Sequence, residues 1–151
     1  MSTGTPQVRF KSFEYATQTK WTGARQGVIA SSGKPAISAS SPPEFKGIPG
    51  VWTPEDLFVA SIEMCQMATF MSFAARRGIR LKSYESRAQG TLEQDESGYR
   101  FTLVTIKPHI VVEEGTDPAT VEEAVRNAHI HCLIARSITT KVDVVPEISI
   151  T

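Results

Sequence analysis

Residues 53–78, TPEDLFVASIEMCQMATFMSFAARRG, constrain this chain more than any other stretch. Between residues 57 and 75 the only charged side chain is Glu63, so a helix here has to be enclosed on most of its surface. Its length would suit a bilayer. Ser61, Gln66, Thr69 and Ser72 nevertheless put polar groups on every face, and no second apolar run accompanies them. Those features point to the central helix of a globular core and away from a membrane span. The ends are well marked: Thr53 suits an N-cap, Pro54 the first helical position, and Glu55 and Asp56 an acidic first turn. Gly78, after Arg76 and Arg77, supplies the stop.

The remaining sequence has to provide the surfaces that enclose this helix. Aromatic and β-branched residues over 8–17 predict a strand, with a change of phase between Phe10 and Phe13 that a bulge would absorb. The stretch GVIASSGKPAIS predicts a hairpin turning at Ser32, Gly33 and Lys34. SSPPEFKGIPGVW, with three prolines and two glycines, predicts a loop. Residues 79–114 read as two long strands joined by a polar turn over 95–98. Asp117 and Pro118 open a second helix that runs to about Ala128, a further helical turn follows Cys132, and KVDVVPEIS closes as a strand in which Pro146 favours an edge. The order β-β-β-α-β-β-α-α-β is α+β, two helical regions against mainly antiparallel sheet, in one domain over residues 1–151.

Lysine plus arginine and aspartate plus glutamate number 16 each, which removes any overall attraction to nucleic acid or an anionic membrane. The opening residues contain no apolar signal segment, and two cysteines are too few for a disulfide scaffold. The expectation is a cytoplasmic chain with reduced thiols.

Cys65 lies near the middle of the long helix, where a cysteine commonly packs as a small apolar group. Were it reactive, its thiolate would need a cation from elsewhere in the fold, because burial alone disfavours the anion. No arginine occurs from residue 26 to 75, which leaves Arg25, in the turn TGARQG, as the candidate on the N-terminal side. Glu55 could decorate the helix dipole or grip that guanidinium in a bidentate pair. Cys132 sits at a break between two helical pieces, where a thiolate would gain from the following helix start. His129 and His131 beside it raise a metal site, but HxHC is too compact for the usual zinc spacings, and no metal or cofactor is expected. Phe45, Trp52, Met64, Met67, Phe70 and Met71 form either ordinary core or an apolar pocket around Cys65.

Taken together, GARQGVIASSGK, TPEDLFVASIEMCQMATF and AHIHCLIARSITTKVDV resemble the OsmC/Ohr family of osmotically induced and organic hydroperoxide resistance proteins, over residues 15–148. The resemblance implies an intertwined homodimer of long helices enclosed by sheets, with Cys65 in the place of the peroxidatic cysteine and Cys132 in that of the resolving one. Arg25 matches the arginine of the organic hydroperoxide branch, and Glu55 the family's glutamate. Leu133 stands where many relatives have proline. The implied activity is reduction of alkyl or fatty-acid hydroperoxides to alcohols, with an external dithiol, often a lipoyl group on a protein partner, restoring the thiols. The same fold could instead serve as a redox sensor or hold an apolar ligand without turnover.

Overall fold

The computed structural model describes residues 9–151. They fall into two compact units, the first ending at Pro54 and the second spanning Glu55–Thr151.

The N-terminal unit is a three-stranded antiparallel sheet of β1 (Gln18–Gly23), β2 (Gln26–Ala30) and β3 (Ile37–Ser40), in that spatial order. This corrects the expected opening strand over 8–17. Val8 lies outside the described residues, and residues 9–17 carry no ladder. Phe10, Phe13 and Tyr15 are at least 75% exposed, so the aromatics that suggested a strand have no half-buried pleated surface to fit. Pairing begins one residue later, where Gln18 meets Ala30. The hairpin between β2 and β3 turns where expected: Gly33 takes φ 73, and the Lys34 amide donates to the Ser31 carbonyl at 3.1 Å. In the proline-rich loop, Pro43–Phe45 forms a 3-10 turn. A Cβ on Gly47 would collide with the Ser41 carbonyl oxygen, so only glycine permits that crossing.

The second unit is built on α1 (Pro54–Arg76). Gly78 ends it in the left-handed region at φ 64; the Ile79 amide donates to the Ala74 carbonyl at 3.0 Å and the Gly78 amide to that of Ala75 at 3.2 Å. These two bonds satisfy carbonyls that the last turn leaves free. β4 (Leu81–Asp95) and β5 (Gly98–Val112) form a long antiparallel hairpin. Asp117 then caps α2 (Pro118–His131), its carboxylate accepting from the Ala119 amide at 3.1 Å. This helix runs three residues beyond Ala128, the end expected from sequence.

The chain closes with two strands where one was expected. β6 (Lys141–Val144) and β7 (Glu147–Ile150) both run parallel to β5, separated by Val145 and Pro146. Alternate residues of a strand direct their main-chain groups to the same edge. Because the Ile106 carbonyl accepts from Val145 at 2.8 Å, Pro108 directs its donorless nitrogen toward this same interruption. A proline inside the central strand is thereby tolerated.

Val104, Ile106, Pro108, Ile110 and Val112 make the buried face of β5. α1 presents Ile62, Gln66, Phe70 and Ala74, spaced four apart, and α2 presents Val121, Ala124, Val125 and Ala128. Phe70, Ala74, Ile110, Val112 and the α2 residues form one cluster, which places both helices on the same face of the sheet. α1 is long and apolar enough to cross a membrane by length and composition, yet this row of its side chains lies in the chain's own core.

Candidate functional site

The site is set by where α2 stops. Cys132 leaves the helical conformation, at φ −62 and ψ 115, and the chain immediately enters a second helical turn. In that turn the Arg136 amide donates to the Cys132 carbonyl at 3.0 Å, the Ser137 amide to Ile134 at 3.0 Å, and the Ser137 hydroxyl to Leu133 at 2.7 Å. The amides of Leu133, Ile134 and Ala135 stand at the start of the turn, where no intrahelical carbonyl can serve them. They are directed at sulfur: those of Ile134 and Leu133 reach Cys65, and those of Ala135 and Ile134 reach Cys132.

Cys65 comes to this place from the middle of α1, half-buried and next to the core residue Gln66. Both cysteines are free thiols, and the Cys132 thiol is near enough to favour the charged form of Cys65. Burial pushes the Cys65 thiol up. The Ile134 amide, the Cys132 thiol, the Thr69 hydroxyl and the Leu133 amide outweigh it and hold Cys65 below the ordinary thiol value. We assign Thr69 the least of this effect. Its single proton is donated to the Cys65 carbonyl at 2.8 Å, while the sulfur lies 4.0 Å from the hydroxyl oxygen.

Cys132 moves the other way. Burial pushes it up, the Ala135 amide offsets part of that, and the hydrogen bond and charge of Cys65 push it up further. The pair is therefore polarised: of the two, Cys65 gives up its proton more readily and Cys132 holds its own more firmly. One outcome differs from the sequence reading. The thiolate favoured by the second helix start is that of Cys65, whereas sequence alone suggested Cys132. Within the second unit the groups that lower it are two amides, a thiol and a hydroxyl. Main-chain donors leave no signature in side-chain types; the break at Cys132 is the available signal, and the amides it frees serve both sulfurs.

The other expected site residues are distributed as follows. Glu55, in the first turn of α1, is half-buried, and its Oε2 is enclosed with no hydrogen-bond partner among the described residues. Arg25 belongs to the N-terminal unit, exposed in the turn between β1 and β2. That turn is shaped by Ala24 at φ 44 and held by bonds from Trp21 Nε1 to the Ala24 carbonyl and from the Ser41 amide to the Arg25 carbonyl. Phe45 lies in the 3-10 turn of the same unit, and Trp52, 51% exposed, bridges Ala39 there. On α1, Met64 is 59% exposed, and Met67 and Met71 are half-buried.

Of the two readings of Phe70, core or pocket lining, its burial favours core. It is fully buried, and its ring centroid lies 5.6 Å from that of Tyr84. Five residues along a helix from Cys65 is a rotation of roughly 140°, which turns it toward the sheet. His129, His131 and Cys132 do not converge: the His131 ring packs 5.5 Å from Phe73 while Cys132 turns to Cys65. Among the described residues no group of three or more metal-ligating side chains forms.

Comparison with known proteins matches residues 47–147 to the OsmC-like protein family. No curated protein matches the sequence. Among solved structures, an OsmC-like protein of unknown function from Vibrio cholerae is 25% identical with a TM-score of 0.83, covering 90% of this chain and 100% of that one. An organic hydroperoxide resistance protein OsmC from Legionella pneumophila is 26% identical, with a TM-score of 0.71 and coverage of 91% and 99%. The organic hydroperoxide resistance protein OhrB of Bacillus subtilis is 25% identical, with a TM-score of 0.66 and coverage of 91% and 98%.

Proposed function

From the premise that this chain belongs to the OsmC-like protein family, we propose that it is a thiol-dependent peroxidase that reduces organic hydroperoxides through Cys65 and Cys132. The observation that carries the reading is the meeting of two free thiols from the middle of α1 and the end of α2, the first held below its ordinary value and the second above it.

The Cys65 thiolate attacks the outer oxygen of the hydroperoxide. The O–O bond breaks, the alkoxide leaves and takes a proton to become the alcohol, and Cys65 becomes a sulfenic acid. Cys132 then gives up its proton and attacks the Cys65 sulfur; the sulfenic oxygen departs as water, and a disulfide joins the two residues. An external dithiol, such as a lipoyl group on a partner protein, returns both to thiols.

Arg25 and Glu55 enter this scheme as the guanidinium and carboxylate that the family resemblance implies. The unpartnered, enclosed Oε2 of Glu55 supports a missing donor at that carboxylate. The apolar side chains that precede and flank Cys65 in sequence, Phe45, Trp52, Met64 and Met67, are the ones we would test for preference of an alkyl substrate over hydrogen peroxide, each buried methylene being worth about 0.8 kcal/mol. The working form is a cytoplasmic homodimer. The deciding experiment is cumene hydroperoxide consumption by the Cys65→Ser protein with a dithiol present: turnover should vanish, and undiminished consumption overturns the mechanism. Stopped-flow oxidation of wild-type Cys65 no faster than that of free cysteine would favour a ligand-binding role.

A further inference from the structure

The cycle requires an external thiol to open the disulfide between Cys65 and Cys132, and two sulfurs are available for attack. Two effects oppose each other. The more acidic thiol is the better leaving group, which favours attack on Cys132 and expulsion of Cys65. Access favours the reverse, because Cys65 is half-buried whereas Cys132 is 1% exposed and counts among the core residues.

The second effect should win for a geometric reason. Exchange proceeds in line, so the incoming sulfur must approach from the side opposite the bond being broken. Behind Cys65 that approach starts from a partly open position on α1. Cys132 is itself buried although its neighbours His131 and Leu133 are exposed, and an approach to it would have to displace the turn whose Ala135 amide is directed at that sulfur. Leaving-group acidity changes a rate by a fractional power of the acidity difference, while enclosure removes the trajectory unless the helix end opens.

Resting on the peroxidase reading, we propose that the reducing thiol attacks Cys65 and expels Cys132, which stays enclosed throughout the cycle. The thiolate forms a bond to the Cys65 sulfur, the bond to Cys132 breaks, and the electron pair leaves on Cys132, which takes a proton. The second thiol of the reductant, once deprotonated, attacks the carrier sulfur, closes the reductant's own disulfide and frees the Cys65 thiolate. The reductant loses two electrons and two protons, and the protein regains two thiols. Peroxide and reductant therefore enter by one route and meet the same sulfur.

The test makes the disulfide with diamide, so it does not depend on peroxide turnover. Full-length protein is oxidised, exposed briefly to glutathione, quenched in acid, alkylated and digested with trypsin, which cuts at Arg76 and separates the two cysteines. Glutathione should be found on the Cys65 peptide, and the alkylating agent on the Cys132 peptide, by at least tenfold at the shortest quench time. A series of quench times separates the initial adduct from later migration. Glutathione first appearing on Cys132, or no intramolecular disulfide forming under diamide, overturns the proposal. A protein that ignores cumene hydroperoxide yet opens its disulfide at Cys65 loses the peroxidase reading and keeps this one.

Discussion

Replacing Leu133 by proline deletes one donor to Cys65 and little else. The preceding residue, Cys132, already has φ −62 and ψ 115, in the extended region that a following proline demands. Position 133 opens a helical turn, where proline is well tolerated because its missing donor has no intrahelical acceptor. The Leu133 side chain is 69% exposed, so its loss removes little packing. What disappears is one of the smaller contributions that lower the Cys65 thiol, behind those of the Ile134 amide and the Cys132 thiol. Hydrogen bonds to charged groups are worth about 1.5–3 kcal/mol, and a minor donor to a large, soft sulfur should fall below that range, at about 1 kcal/mol. The ratio of thiolate to thiol then drops roughly fivefold at a fixed pH below the midpoint. Because a more basic thiolate is also more nucleophilic, with a Brønsted coefficient of about 0.4–0.5, the rate of oxidation by cumene hydroperoxide should fall only about two- to threefold. Ultraviolet thiolate titration and stopped-flow oxidation measure the two quantities. Leu133→Ala keeps the amide and should titrate like wild type. If the proline variant also matches wild type, or if alanine shifts the curve as far as proline does, the amide is not what stabilises the anion.

Four further perturbations test other links. Cys132→Ser should leave the first oxidation of Cys65 within a few-fold of wild type while abolishing dithiol-driven turnover; sustained turnover would remove Cys132 from the cycle. Tyr84, whose hydroxyl is enclosed without a partner among the described residues, is pushed up from 10.0 to about 12, first by burial and then by the charge of Glu63. Since the folded chain holds that proton longer than the unfolded one, its stability is full below pH 10.0 and declines as pH rises toward 12, by about 2–3 kcal/mol at most; Tyr84→Phe should match or exceed wild type by up to about 1 kcal/mol at neutrality and lose this alkaline decline in urea titrations. Phe70→Ala should cost about 3–5 kcal/mol in the same assay, and a loss under 1 kcal/mol would deny Phe70 its place in the core. A Cβ on Gly90 would stand 2.7 Å from Val59 Cγ2 and 2.8 Å from Phe101 Cε1, so Gly90→Ala should cost about 1–3 kcal/mol and lower the thermal midpoint measurably.

What the sequence disclosed, and what it hid, follows from which groups carry the information. α1 was legible to within two residues at each end because proline, acidic residues and glycine act locally on its termini. The β4 and β5 hairpin was legible for a similar reason, its polar turn at Glu96 and Ser97 being bounded by long strand-forming runs. The opening strand failed where local aromatics suggested pairing, because no neighbour is supplied before Gln18. The closing strand failed in the opposite direction: Pro146 was seen, but its consequence depended on Pro108 standing on the facing edge of β5.

The same distinction explains the site. In the middle of a helix, the amides around Cys65 are committed to carbonyls four residues back, so nothing local can hold a charge on its sulfur. At the end of α2, Cys132 interrupts that pattern and frees the next three amides. One cysteine therefore needs donors that its own helix cannot give, and the other creates them. Read singly, each looks like an inert core thiol; their chemistry follows from bringing the interior of one helix to the end of another, a relation set by the packing of α1 and α2 on one face of the sheet.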